Sequence, residues 1–77
     1  MRMDFIQMLK AKQRELNMTK SQFAKYIYKH RTWVFDKFGP EPYKHPLSES
    51  TMYTLHTLLD IPYDVMEEFN TKCKENN

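Results

Sequence analysis

Arg31, Thr32, Trp33, Asp36 and Lys37 stand within seven consecutive positions, and their groups suit recognition of a charged polymer such as nucleic acid. Guanidinium and ammonium groups donate to phosphate oxygens, a threonine hydroxyl contacts bases or phosphates, and a carboxylate accepts from the amino group of cytosine. An indole offers an apolar face to thymine methyls and sugars, or an anchor to a protein partner. Lys20 and Lys29 precede this run and Lys44 follows it, each a candidate phosphate contact. Two of these residues have a plainer use as well: Thr32 as a helix cap, and Trp33 as a half-buried ring under the loop that follows.

Other chemistries find little support. His30, His45 and His56 lack metal-ligand spacing, no Ser/His/Asp or Cys/His grouping follows from spacing, and a single glycine excludes the usual phosphate loop. No enzymatic activity, metal or cofactor is therefore expected. Cys73, the one cysteine, excludes an internal disulfide and reads as an idle thiol near a polar C-terminus.

The formal net charge of +2 conceals an asymmetry. Residues 1–46 hold ten Lys/Arg against four Asp/Glu, whereas residues 47–77 hold two against six. A basic half points to a polyanionic partner. No apolar run approaches the length of a membrane span, and the opening "MRMDFIQMLK" carries an acid within its apolar stretch, unlike a secretion signal. A cytoplasmic location away from membranes is expected. Seventy-seven residues leave room for one core, and an all-helical bundle or a dimer is the economical way to build it.

Five short helices must position these groups. The first is expected over about Asp4–Leu16, with Phe5, Ile6, Leu9, Gln13 and Leu16 recurring at helical steps and Asn17 as the left-handed residue that ends it. The second starts at Thr19, where Gln22 completes a capping box and Met18 and Phe23 form a hydrophobic staple. Phe23, Ala24 and Ile27 make its inward face. The third covers roughly Arg31–Phe38 and stops at "GPEPYKHP", whose three prolines and one glycine cannot continue a helix. The fourth starts near Ser48 or Ser50 with Met52, Leu55, Leu58 and Leu59 inward. The fifth starts at Pro62 and uses Val65, Met66 and Phe69.

In order and spacing, "NMTKSQFA", "STMYTLHTLL" and "LDIPYDVM" resemble the lambda-repressor-like (Cro/repressor, XRE-type) helix-turn-helix domains of bacteria and phages, over about residues 6–69. The resemblance implies an all-α, compact five-helix bundle over residues 1–70, with helices 2 and 3 as the helix-turn-helix and a polar tail over 71–77. It implies that helix 2 crosses the DNA backbone and helix 3 enters the major groove. Lys20 then stands where the family often has a phosphate-contacting glutamine.

Tyr28 stands where the family prefers glycine, and the turn there permits two registers. Without an insertion, Val34 and Lys37 face inward. With one extra turn residue, Phe35 and Phe38 do, and this register is favoured because it buries two aromatics and exposes Lys37. Both leave Thr32 and Trp33 facing outward.

The function so implied is that of a sequence-specific regulator of repressor type, from a phage or mobile element, binding double-stranded operator DNA as a homodimer. An excisionase-like accessory protein would use the same surface to bend DNA. A protein-binding module on the same scaffold, such as a phage inhibitor or anti-repressor, is the alternative from another class. It would use an aromatic stripe of Tyr26, Tyr28, Trp33 and Tyr43, with Tyr53 and Tyr63 placed for dimerisation.

Overall fold

Capping side chains set most of the helix boundaries in the structure, a computed structural model that describes residues 2–76. The chain forms α1 (Phe5–Glu15), α2 (Lys20–Tyr26), α3 (Arg31–Phe38), α4 (Glu49–Leu59) and α5 (Tyr63–Glu75), with no strand among the described residues. Asp4 opens α1 by accepting from the Gln7 N–H, while Gln7 Oε1 accepts from the Asp4 N–H, both at 2.9 Å. Thr19 and Gln22 make the same reciprocal pair at the start of α2, at 3.1 and 2.9 Å. Ser48 caps α4 through the Thr51 N–H, and Pro62 precedes α5.

The turns after α1 and α2 are built alike. Asn17 takes φ 54°, its N–H reaches the Arg14 carbonyl at 3.0 Å, and the Met18 N–H reaches that of Gln13 at 3.3 Å. Tyr28 takes φ 59°, its N–H reaches the Lys25 carbonyl at 3.2 Å, and the Lys29 N–H reaches that of Ala24 at 2.8 Å. Both are Schellman closures, in which one left-handed residue lets two N–H groups satisfy carbonyls at the helix end. Tyrosine pays a conformational cost of about 1 kcal/mol to fill a position that suits glycine.

That turn overturns the favoured register. Because Tyr28 itself adopts the left-handed conformation, no extra residue is needed, and α3 turns Val34 and Lys37 inward. Lys37 is only 3% exposed, Phe35 is 47% exposed and Phe38 is half-buried.

The core joins Phe5, Ile6 and Leu9 of α1 to Phe23, Ala24, Ile27, Val34, Leu55, Ile61, Val65 and Met66, with Phe5 and Phe69 rings 4.8 Å apart. Leu16, expected inward, lies at the end of α1 and is exposed, and Leu58 is half-buried. The expected polar tail over 71–77 is also corrected: α5 runs through Glu75, and fully buried Cys73 makes residues 71–75 part of the bundle. Asn77, the end of the expected tail, lies outside the described residues. A radius of gyration of 11.6 Å matches the roughly 11.5 Å of a compact domain of this length. Among the described residues, no helix is long and apolar enough to cross a membrane.

The proline-rich connection between α3 and α4 is anchored at its far end by one amide side chain. Asn70 Oδ1 accepts from the Leu47 N–H at 2.7 Å, and its Nδ2 donates to the Leu47 carbonyl at 3.1 Å. Both polar groups of Leu47 are thereby satisfied where its side chain is buried.

Candidate nucleic-acid interface

The α2–turn–α3 unit packs its two helices against each other and carries most of the expected contact residues. Arg31 is the first residue of α3 and is exposed. Thr32 is exposed beside it, but does not cap the helix. His30 does so instead: its Nδ1 accepts from the Thr32 N–H at 3.2 Å and lies 2.9 Å from the Thr32 hydroxyl. Asp36 follows one turn later on the exposed side.

Lys20, the first residue of α2, is exposed and holds its ammonium 5.4 Å from the Phe35 ring centre and 5.9 Å from that of Phe38. Lys10 of α1 approaches Phe38 at 5.9 Å. Lys29, in the turn, is half-buried with its ammonium 5.6 Å from the Trp33 ring. These cations thus flank α3 from two sides, at cation–π distances.

Two expected contacts belong elsewhere. Trp33 does not face outward. It is half-buried against the core, with Lys37 Nζ 5.2 Å from its ring, because it lies one turn before buried Lys37 on the same side of the helix. Lys37 is no phosphate contact either. Its ammonium lies 5.5 Å from the Phe69 ring and donates to the His45 carbonyl at 3.2 Å. Burial pushes its pKa below the ordinary 10.5, while Cys73 and Asp36 pull it back up. Burial also raises the Cys73 thiol, which Lys37 counteracts.

Lys44 lies in the α3–α4 connection, 3.8 Å from Glu41. Tyr43 packs on Phe69 with ring centres 5.2 Å apart, so it joins Trp33 at the edge of the core. The expected aromatic stripe is therefore divided. Only Tyr26 and Tyr28 show large exposed faces, and Tyr28 is 81% exposed. His56 rests on Tyr63 with Nδ1 3.0 Å from the Ile61 carbonyl, and among the described residues no three His, Cys, Asp or Glu side chains gather as a metal site.

Sequence reasoning assigned Phe35 to the core, whereas it sits among Arg31, Thr32 and Asp36 on the exposed side of α3. The turn geometry would have revealed it, since a left-handed Tyr28 fixes which residues of α3 face inward. The outward face thus combines two charges of opposite sign, a hydroxyl and an aromatic ring, rimmed by Lys20 and Lys29. Such a face can neutralise phosphate and touch both polar and apolar edges of bases.

Comparison with protein-family models, with characterised proteins and with solved structures finds no match for this chain.

Proposed function

We propose that the protein is a sequence-specific DNA-binding regulator of repressor type, with α2 and α3 acting as a helix-turn-helix on double-stranded DNA. The observation that carries this reading is the exposed face of α3, where Arg31, Thr32, Phe35 and Asp36 lie between the ammonium groups of Lys20 and Lys29. An α-helix fits the major groove of B-form DNA, and its first turns reach base edges there. Thr32 occupies that first turn. Asp36 accepts from a cytosine amino group, while Lys20, Lys29 and Arg31 at the start of the helix meet phosphates. The protein works by occupancy, with neither catalysis nor a cofactor. It binds as a homodimer on paired half-sites, a reading supported by Tyr53 and Tyr63, which are exposed along the α4–α5 cleft.

The test is duplex binding across salt concentrations, using a labelled duplex selected on the protein from a randomised pool. Each neutralised phosphate contributes about −0.9 to the slope of log K against log salt. Lys20, Lys29 and Arg31 in each protomer therefore give a slope of about −2.7 per half-site. Failure to enrich any duplex, or binding insensitive to salt, overturns the reading.

A specific observation favours a second reading. Tyr28 holds its phenol almost fully in solvent at a position where glycine would cost less. An exposed Tyr28 beside Asp36-bearing α3 suits a protein partner, as in an inhibitor or anti-repressor. Capture of one defined protein by the wild type but not by Tyr28→Ala, together with absent DNA binding, would establish it.

A further inference from the structure

The third helix hides a lysine and shows a phenylalanine. Lys37 is 3% exposed and Phe35, two positions earlier, is 47% exposed. Burial of a charged group is unfavourable, and its lowered pKa records that. Exposure of the ring forgoes the gain from burying it. Lys37 at least ties α3 to the loop through the His45 carbonyl, whereas the exposed ring adds nothing to the core and calls for an explanation outside the fold.

Its surroundings supply one. Thr32, one turn back on the same side, holds its hydroxyl 2.9 Å from His30 Nδ1. Lys20 places its ammonium 5.4 Å from the Phe35 ring centre. An apolar ring is thus set between hydrogen-bonding neighbours, with a cation stationed beside it. A groove with phosphates along its walls and an apolar group on its floor matches that arrangement. In B-form DNA, the base group that is apolar in the major groove is the 5-methyl of thymine. A-form RNA duplexes offer no equivalent, because their major groove is too narrow for side chains.

We infer that Phe35 reads thymine methyl groups in the major groove and is a specificity-determining residue of this protein. The inference rests on the DNA-binding reading and names the base that the site prefers. Lys20 is a positioning residue: its ammonium holds the ring by a cation–π contact and takes the phosphate next to the thymine.

The experiment uses the full chain and a duplex selected on it from a randomised pool, then resynthesised with deoxyuridine for thymidine. That exchange removes methyl groups and leaves every hydrogen-bonding edge unchanged. Wild-type protein is expected to lose about fourfold in affinity for each methyl read, the worth of burying one such group. Phe35→Ala is expected to bind both duplexes alike, with far-UV circular dichroism showing it folded. Phe35→Leu, which keeps an apolar tip, is expected to retain discrimination. Wild type that binds both duplexes equally, with its salt dependence intact, overturns the thymine assignment and leaves DNA binding standing. So does discrimination that survives in Phe35→Ala. If no duplex enriches at all, both readings fall together.

Discussion

Lys37 Nζ donates to the carbonyl of His45 at 3.2 Å, and this bond ties the third helix to the proline-rich connection that follows it. The ammonium is flanked by the rings of Trp33 and Phe69, and Tyr43 covers Phe69 from the loop. A cation in this place anchors the chain but bears a desolvation cost.

Removing the side chain and replacing it are therefore expected to differ. Lys37→Ala should destabilise by about 2 kcal/mol, through lost packing and an unmet carbonyl. Lys37→Met, which keeps the stem and drops the charge, should be neutral or slightly stabilising at pH 7. The folded-state pKa lies below the unfolded value, so the unfolded chain binds more protons between the two. Wild-type stability should accordingly rise with pH as it passes the lowered pKa towards 10.5, and the Lys37→Met protein should lack that rise. Urea unfolding over this range, with Cys73→Ala carried in both proteins because Lys37 acts on that thiol, checks the sign.

At Tyr28 the expectation runs in the opposite direction. Tyr28→Gly relieves a left-handed tyrosine whose side chain is 81% exposed, so it should stabilise by about 1 kcal/mol. For a domain of this size, that raises the melting temperature by about 4–8 °C. A lower melting temperature would show that the phenol contributes to the fold.

Asn70 should be intolerant of truncation. Asn70→Ala leaves both the N–H and the carbonyl of Leu47 without their partner, at a cost of about 2–3 kcal/mol. Asn70→Asp keeps the acceptor and loses the donor, and should fall between. Hydrogen exchange at the Leu47 amide reports the change directly.

On the outer face, Arg31→Ala and Lys20→Ala should each weaken DNA binding and reduce the salt slope by about 0.9. Both side chains are exposed, so thermal unfolding should move little. A large stability loss in either would assign that residue to the fold.

The helical frame was legible in the sequence because its signals are local. Thr19 with Gln22, Ser48 and Pro62 each mark a boundary through groups a few residues apart. Asn17 likewise ends α1 in the left-handed conformation. The face of α3 was not legible, because it turns on whether a tyrosine accepts an unfavourable φ. That single angle decides whether Lys37 or Phe35 is buried, and hydrophobicity alone favours the wrong answer. The tail was misread for a related reason: "NTKCKENN" is polar on average, yet Cys73 falls at the inward position of one more helical turn. Asn70 clamps a residue 23 positions away, a partnership that no local pattern records.

Trp33 is the chain's one tryptophan, and its indole lies between the ammonium of Lys29 in the turn and that of Lys37 under the loop. The protein thereby carries a built-in optical reporter. Unfolding wets the ring and separates it from both cations, which shifts its emission to the red. An anion docking on Lys29 instead changes the electric field at a ring that stays in place, altering intensity without that red shift. One label-free spectrum can thus distinguish loss of the fold from occupation of the surface beside it.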